Sequence, residues 1–266
     1  MLKLSREIRF ALVPPEKIPP LRPANSWSGW PSSNLIVPQL VLRCVLRGVP
    51  AAQTGYLCDI KSIDELLRRI VTEQLIPNYY CTGEPPRATD LLAKVFSTAV
   101  DDWRSTGKTS GEIDSIELAL TPFLFYRIYS REPAMVHLTQ QFEFSAAHRL
   151  HCTGLSDWEN RDLFGKCNNP AGHGHNYVVE VTLAMPNSET NFELATIEST
   201  VKRIVIDRLD HKHLNHDVEL FAATNPTVEN ISVAIFNWLD GQFGSAQLKK
   251  IRLYETPKTW AEYDGS

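Results

Sequence analysis

The strongest constraint on this chain is that one plan of elements occurs in it twice. Glu7-Ile8-Arg9-Phe10 alternates polar and apolar residues as a half-buried strand does, and so does Gln141-Phe142-Glu143-Phe144. Leu40 to Leu46 and Tyr177 to Leu183 are both strands rich in apolar and β-branched residues. Ile63 to Val71 and Ile197 to Val205 place apolar side chains at helical spacing and predict amphipathic helices. A second helix follows in each half, Ala88 to Trp103 and Val228 to Trp238. Each half then closes on a strand pair: Ser115 to Leu118 with Phe123 to Tyr129, and Lys250 to Leu253 with Thr259 to Tyr263. Matched positions keep an offset of about 134 to 140 residues, which is the signature of a repeated domain. The expectation is an α+β chain of two tandem units, 1–133 and 134–266. Each is strand–strand–helix–helix–strand–strand with an antiparallel sheet, and Arg131-Glu132-Pro133 interrupts the pattern at the boundary.

The halves differ in chemistry. All 8 histidines lie at or after His137. With 43% hydrophobic residues a sizeable core is available, and a net charge of −4 gives no reason to expect nucleic acid or a membrane surface as partner. No apolar run approaches a membrane span, and the apolar stretch Phe10 to Val13 is too short for a secretory signal. The 5 cysteines have no framework spacing, so reduced thiols and a cytoplasmic location are the expectation.

His148 and His173-Gly174-His175 form the densest cluster of metal-ligating residues. Residues i and i+2 of a strand share a face, so His173 and His175 can converge on one ion, and His148 can join them if its strand pairs alongside. Three histidines with an open position make a catalytic zinc arrangement; His-Gly-His alone is equally a polar turn beside a strand. Cys167 lies in a turn-rich loop six residues before His173. Lys166 and a nearby zinc ion would favour its thiolate as a base, and a fourth zinc ligand or an inert loop thiol are the other readings. Asp210-His211 follows a helix, where a carboxylate beside an imidazole can fix its tautomer or simply cap and pair at the surface. Glu255 ends a strand, placed either to accept N–H bonds from an amino-pyrimidinone ring or to face solvent. His151, His213 and His216 fit no ligand spacing; they read as surface or loop residues, with His151 a candidate for contact behind the site.

Four segments together resemble one family. They are Phe144-Ser145-Ala146-Ala147-His148-Arg149-Leu150, the run from Leu163 to Tyr177, Leu209-Asp210-His211-Lys212, and Tyr254-Glu255-Thr256; Thr227-Val228-Glu229-Asn230 is a further match. From about residue 138 to 266 the chain is similar to 6-pyruvoyltetrahydropterin synthases of the tunnelling-fold (T-fold) superfamily, whose subunits assemble into barrels. The resemblance implies a zinc-dependent lyase converting 7,8-dihydroneopterin triphosphate to 6-pyruvoyltetrahydropterin with loss of triphosphate. It implies zinc on His148, His173 and His175, and Cys167 as the base. Asp210 and His211 would complete the proton relay. Glu255 would anchor the pterin, with Thr227 and Glu229 helping. It also implies a homo-oligomer whose sites lie at subunit interfaces, the Asp-His pair coming from a neighbour.

The related 6-carboxytetrahydropterin synthases of the deazapurine (queuosine) pathway use the same substrate. Their cysteine is typically three residues from the His-Gly-His, whereas five residues separate Cys167 from His173, which favours the pyruvoyl enzyme. A non-catalytic pterin binder or scaffold is the reading of another class, against which the intact Cys167, Asp210 and His211 argue. In the first half, Ile76-Pro77 aligns with Asp210-His211, Leu120 with Glu255, and Thr89 with Glu229. The metal loop is replaced by Val13 to Gln39, with seven prolines and Trp27 and Trp30. The first unit therefore reads as a degenerate copy without the metal site, and a ring of second units stacked on a ring of first units is the arrangement expected.

Overall fold

The computed structural model describes residues 1–18, 27, 29–31, 33–81, 83–107, 111–189 and 192–266. Part of the proline-rich stretch, including Pro19, Pro20 and Pro23, lies outside the described residues. Two of its described residues reach the first strand. The Arg9 guanidinium sits 4.5 Å over the Trp27 ring, and the Trp30 N–H donates to the Arg9 carbonyl at 2.8 Å.

The chain divides into two compact units, Met1–Leu138 with Met185–Glu189, and Thr139–Ala184 with Thr190–Ser266. In the first, β1 (Leu2–Ala11), β2 (Gln39–Gly48), β3 (Gly111–Thr121) and β4 (Leu124–Tyr129) pair antiparallel in that order. Between β2 and β3 come α1 (Ile60–Ile70), a π-helical turn Val71–Leu75, α2 (Ile76–Cys81) and α3 (Ala88–Ser105). Asp59 caps α1 by accepting from the Lys61 N–H at 3.1 Å. Ile63, Leu66, Leu67 and Ile70 of α1 and Leu92, Val95, Phe96, Ala99 and Trp103 of α3 are buried, as are Leu42, Cys44, Leu46, Ile116 and Leu118 on the strands. At about 1.5–3 kcal/mol per buried large aliphatic side chain, this apolar layer is what holds helices to sheet.

The second unit follows the same plan. Its strands are β5 (Met135–His148, from Thr139 onward), β6 (His173–Pro186), β8 (Gln247–Thr256) and β9 (Thr259–Tyr263), neighbouring in that order. Before β6 comes α4 (Asp157–Phe164). After it come α5 (Leu194–Val201), a π-helical turn Lys202–Ile206 and α6 (Asp207–Leu209). Then follow β7 (Lys212–His213), α7 (Leu214–Asp217), α8 (Glu219–Ala223) and α9 (Val228–Leu239). The two-residue β7 runs parallel to β5, Ala146 opposite Lys212 and Ala147 opposite His213. Among the described residues, no helix is long and apolar enough to cross a membrane.

The two units share irregularities as well as elements. The first helix after the second strand of each unit runs into a five-residue π turn. The β2–β3 register skips Asp114 and the β6–β8 register skips Lys249; the closing hairpins skip Leu120 and Glu255. Each sheet also carries a polar row across four strands. In the first unit Arg43 joins Glu7 (2.7 Å) and Glu117, and Arg127 also binds Glu117. In the second, Gln141 donates to Glu180 (2.7 Å), and Arg252 joins Glu180 (3.6 Å) and Glu262 (2.6 Å).

The segment after β5 has no strand partner for its backbone, and asparagine side chains take that role. Asn215 accepts from the Arg149 N–H at 2.8 Å and donates to the Arg149 carbonyl at 3.0 Å. Asn168 donates to the Leu150 carbonyl at 2.7 Å, and Asn225 accepts from the His151 N–H at 2.9 Å. Asn160, fully buried on α4, accepts from the Cys152 N–H at 2.7 Å and donates to the carbonyls of Cys152, Leu155 and Ser156. A buried polar group left without a partner costs about 1–3 kcal/mol, so Asn160→Ala is expected to lower unfolding free energy by about 2–3 kcal/mol. Asn160→Asp, which turns a carboxylate on three carbonyls, is expected to cost at least as much. Chemical denaturation reads both, and a wild-type midpoint for Asn160→Ala would refute the bracing role.

Candidate active site

The centre is built on the adjacent ends of β5 and β6. Strand alternation puts Phe144, Ala146 and His148 on the buried face of β5, and His173, His175 and Tyr177 on the matching face of β6. One ligand-capable atom from each of His148, His173 and His175 lies within 4.8 Å of the others. His148 Nε2 is 3.1 Å from His173 Nε2. Tetrahedral zinc with nitrogen ligands at its usual bond length separates them by about 3.3 Å, so the cluster has the size of a single metal site.

The tautomer of His148 follows from its surroundings. Its Nδ1 lies 2.7 Å from the Pro226 carbonyl oxygen, which can only accept, so Nδ1 carries the hydrogen and Nε2 presents a lone pair to the other imidazoles. Burial pushes the His148 pKa down to about 4, keeping the neutral form that a metal ligand requires. The His173 pKa is lowered by burial and by the neighbouring His175. His173 Nδ1 and His175 Nε2 are buried without a hydrogen-bond partner. Neutral imidazoles with a directed lone pair and orphaned nitrogens fit a transition-metal ion. Tyr177 closes the floor, stacked on Phe144 with ring centroids 5.0 Å apart.

Glu255 is the residue skipped in the β8–β9 register, and bulges of this kind re-aim side chains next to functional sites. Its Oε1 is 3.4 Å from His148 Nε2 and 3.5 Å from His175 Nε2, so it faces the imidazoles and not solvent. Cys167 is half-buried, at the end of a 3-10 turn (Gly165–Asn168) whose backbone is tied to Leu150. Lys166 is exposed, and burial together with the Glu255 carboxylate pushes the Cys167 pKa up, not down.

Asp210 and His211 form the expected pair, His211 Nδ1 donating to Asp210 Oδ2 at 2.8 Å. Asp210 Oδ1 accepts from the Ser145 N–H at 2.8 Å, and this bond, with His211, holds its carboxyl below the usual carboxylate range. His211 is left-handed (φ 57°) and its side chain is 83% exposed, in a cleft with Ser145, Asn176 and Lys212. Among the described residues, no hydrogen bond or ion pair links it to Cys167 or the three histidines of the same chain. Thr227 caps α9, its Oγ1 accepting from the Asn230 N–H at 3.3 Å, and Glu229 is exposed in the first turn. Thr227 follows Pro226, whose carbonyl holds His148.

Two further histidines lie near the centre. His151 contacts Asn168 and Arg149, and so braces the Cys167 turn. His213, expected at the surface or in a loop, is packed against the turn before His173, because β7 aligns it with Ala147, one residue short of the first ligand. The four bracing asparagines carry no ligand signal in sequence; asparagine-rich, strand-free stretches around a ligand are the one cue that points to them.

Residues 137–266 match the family model described as 6-pyruvoyl tetrahydropterin synthase. Over 140 residues the chain is 41% identical to the 6-pyruvoyl tetrahydrobiopterin synthase of Drosophila melanogaster, covering 51% of this chain and 83% of that protein. The solved structure of Caenorhabditis elegans 6-pyruvoyl tetrahydropterin synthase is 40% identical, with a TM-score of 0.45, covering 50% of this chain and 96% of that one. A 6-carboxy-5,6,7,8-tetrahydropterin synthase of Rickettsia bellii is 28% identical over 149 residues, covering 48% of this chain and 99% of that protein.

Single replacements His148→Ala, His173→Ala and His175→Ala are each expected to weaken binding of a transition-metal ion at least about 100-fold, since each removes a direct ligand. Titration of the metal-stripped protein with cobalt(II) or zinc(II) measures this. Retention of wild-type affinity by any one of the three would remove that residue from the ligand set.

Proposed function

The chain belongs to the 6-pyruvoyl tetrahydropterin synthase family, and on that footing we propose that its second unit is a zinc-dependent carbon–oxygen lyase. The reaction is conversion of 7,8-dihydroneopterin triphosphate to 6-pyruvoyltetrahydropterin, with release of triphosphate. The observation that carries this reading is the convergence of three imidazoles with the Cys167 turn and the Glu255 carboxylate beside them.

His148, His173 and His175 would hold the zinc. When bound, zinc supplies Lewis acidity that makes a C–H of the substrate side chain easier to deprotonate, and a nearby cation counters the burial and the carboxylate that raise the Cys167 thiol. Cys167 Sγ takes that proton. Glu255 accepts N–H bonds from the amino-pyrimidinone ring, and Thr227 and Glu229 border that end of the site. Asp210 holds the hydrogen of His211 on Nδ1, which leaves Nε2 free to exchange a proton. Because His211 is exposed and, among the described residues, bonded only to Asp210 and Ser145, it serves the Cys167 of a neighbouring chain, and the working form is a homo-oligomer.

The matched π turns, register skips and polar rows support the first unit as a duplicated copy of the same fold. There Leu120 occupies the position of Glu255. Buried Ile76 and half-buried Pro77 continue a helix where the second unit breaks it at Asp210-His211. That copy would be structural. The five free cysteines suit a reducing, cytoplasmic setting. The Cys167–His173 spacing and the higher identity to the pyruvoyl synthase favour the pyruvoyl product over the carboxy product.

Incubation of the zinc-loaded protein with 7,8-dihydroneopterin triphosphate is expected to give 6-pyruvoyltetrahydropterin and triphosphate. A carboxy product with acetaldehyde would move the chain to the related activity, and no turnover would make it a binder. Cys167→Ala is expected to lower kcat by about 10²- to 10⁴-fold while zinc stays bound. Mixing Cys167→Ala chains with His211→Ala chains is expected to restore part of the activity; no recovery would mean each chain completes its own site.

A further inference from the structure

Five residues, Asn168 to Gly172, connect the proposed base to the second ligand. The Cys167 end of this turn is tied down by hydrogen bonds. The Leu150 N–H donates to the Cys167 carbonyl at 2.8 Å, Asn168 Nδ2 donates to the Leu150 carbonyl, and Arg149 Nε donates to the Asn168 carbonyl. The Gly172 end is held differently. Its N–H closes a turn on the Asn169 carbonyl at 2.8 Å, and beyond that it is confined by packing. Gly172 is left-handed, with φ 72°. A Cβ placed on it would meet His213 Nε2 at 2.7 Å and the His148 carbonyl oxygen at 3.0 Å. The backbone of one ligand and the His213 ring are thus the two surfaces the turn closes against.

His213 is itself firmly placed. Its backbone lies in β7 opposite Ala147, its N–H donates to Asp217 Oδ2 at 2.7 Å, and its ring lies 4.3 Å from that of His216. Its Nδ1 is buried with no hydrogen-bond partner, so polar satisfaction does not explain why an imidazole stands there. Its Nε2 edge faces Gly172. His173 depends on that contact more than His148 does: a carbonyl orients His148, whereas His173 Nδ1 has no partner, so its ring is set by where the backbone at Gly172 delivers it.

We infer that His213 is a positioning residue for the metal centre, its ring forming the wall that fixes the Gly172 turn and with it the approach of His173 and the span back to Cys167. The inference rests on the proposed metal centre, and the test separates the two. Full-length protein is loaded with cobalt(II), and its visible absorption and cobalt affinity are measured for wild type, His213→Ala and His213→Phe. Removing the wall is expected to shift the cobalt bands and weaken binding about 10- to 100-fold, as loss of a supporting residue does at other metal sites. In the turnover assay His213→Ala is expected to lower kcat more than it changes KM. His213→Phe, which restores a flat ring without nitrogens, is expected to return the bands and the affinity toward wild type, and it reads the same contrast against wild type where His213→Ala does not fold. Wild-type bands and affinity in His213→Ala overturn the inference, and so does a folded His213→Phe as impaired as His213→Ala. Failure of the wild-type protein to bind cobalt overturns the metal centre and this inference with it.

Discussion

The site hangs on one hydrogen bond, from His148 Nδ1 to the Pro226 carbonyl. It sets the tautomer of a fully buried imidazole, and so decides that Nε2 faces the other two histidines as a lone pair. It also couples the strand end to the residue just before Thr227, the cap of α9. The segment just after His148 secures the bond. Arg149 to Cys152 run without a strand partner, and Asn160, Asn168, Asn215 and Asn225 satisfy their backbone. Each of those asparagines comes from a different part of the second unit, so the unit's loops converge on the segment that follows His148.

The two units put this arrangement in relief. They agree where geometry alone matters, down to the residues skipped in the strand registers and the π turns in the first helices. They part where chemistry is added. The β8–β9 bulge aims a carboxylate at the imidazoles in one unit, and the corresponding bulge carries Leu120 in the other. One helix ends so that Asp210 can bind Ser145 and His211 can turn left-handed; its counterpart continues through Ile76. A cross-strand polar row persists in both, with the signs exchanged: Arg43 stands where Glu180 does, and Glu117 where Arg252 does. That exchange keeps the alternation of charge, which is what a directly opposed cross-strand pair requires.

Much of the fold and of the histidine cluster is legible in the sequence because it follows from periodicity. The strand and helix order, the pairing of His173 with His175, and the counterpart of Glu255 all come from alternation and a constant offset. Other features are not, because they depend on contacts distant in the chain. His213 reads as a loop residue until β7 aligns it beside Ala147. In sequence the neighbour of Cys167 is Lys166, whereas the groups that govern its thiol are burial and Glu255, 88 positions away in the chain. The asparagines are invisible to a search for ligands because they act on backbone.

The central claim is that three imidazoles hold the ion while Cys167 remains free to move a proton. X-ray absorption at the zinc edge of the loaded protein tests it most directly. The account predicts a first shell of nitrogen and oxygen at about 2.0–2.1 Å with outer-shell scattering from three imidazoles and no sulfur. A sulfur neighbour at about 2.3 Å would make Cys167 a ligand and would contradict its assignment as the base.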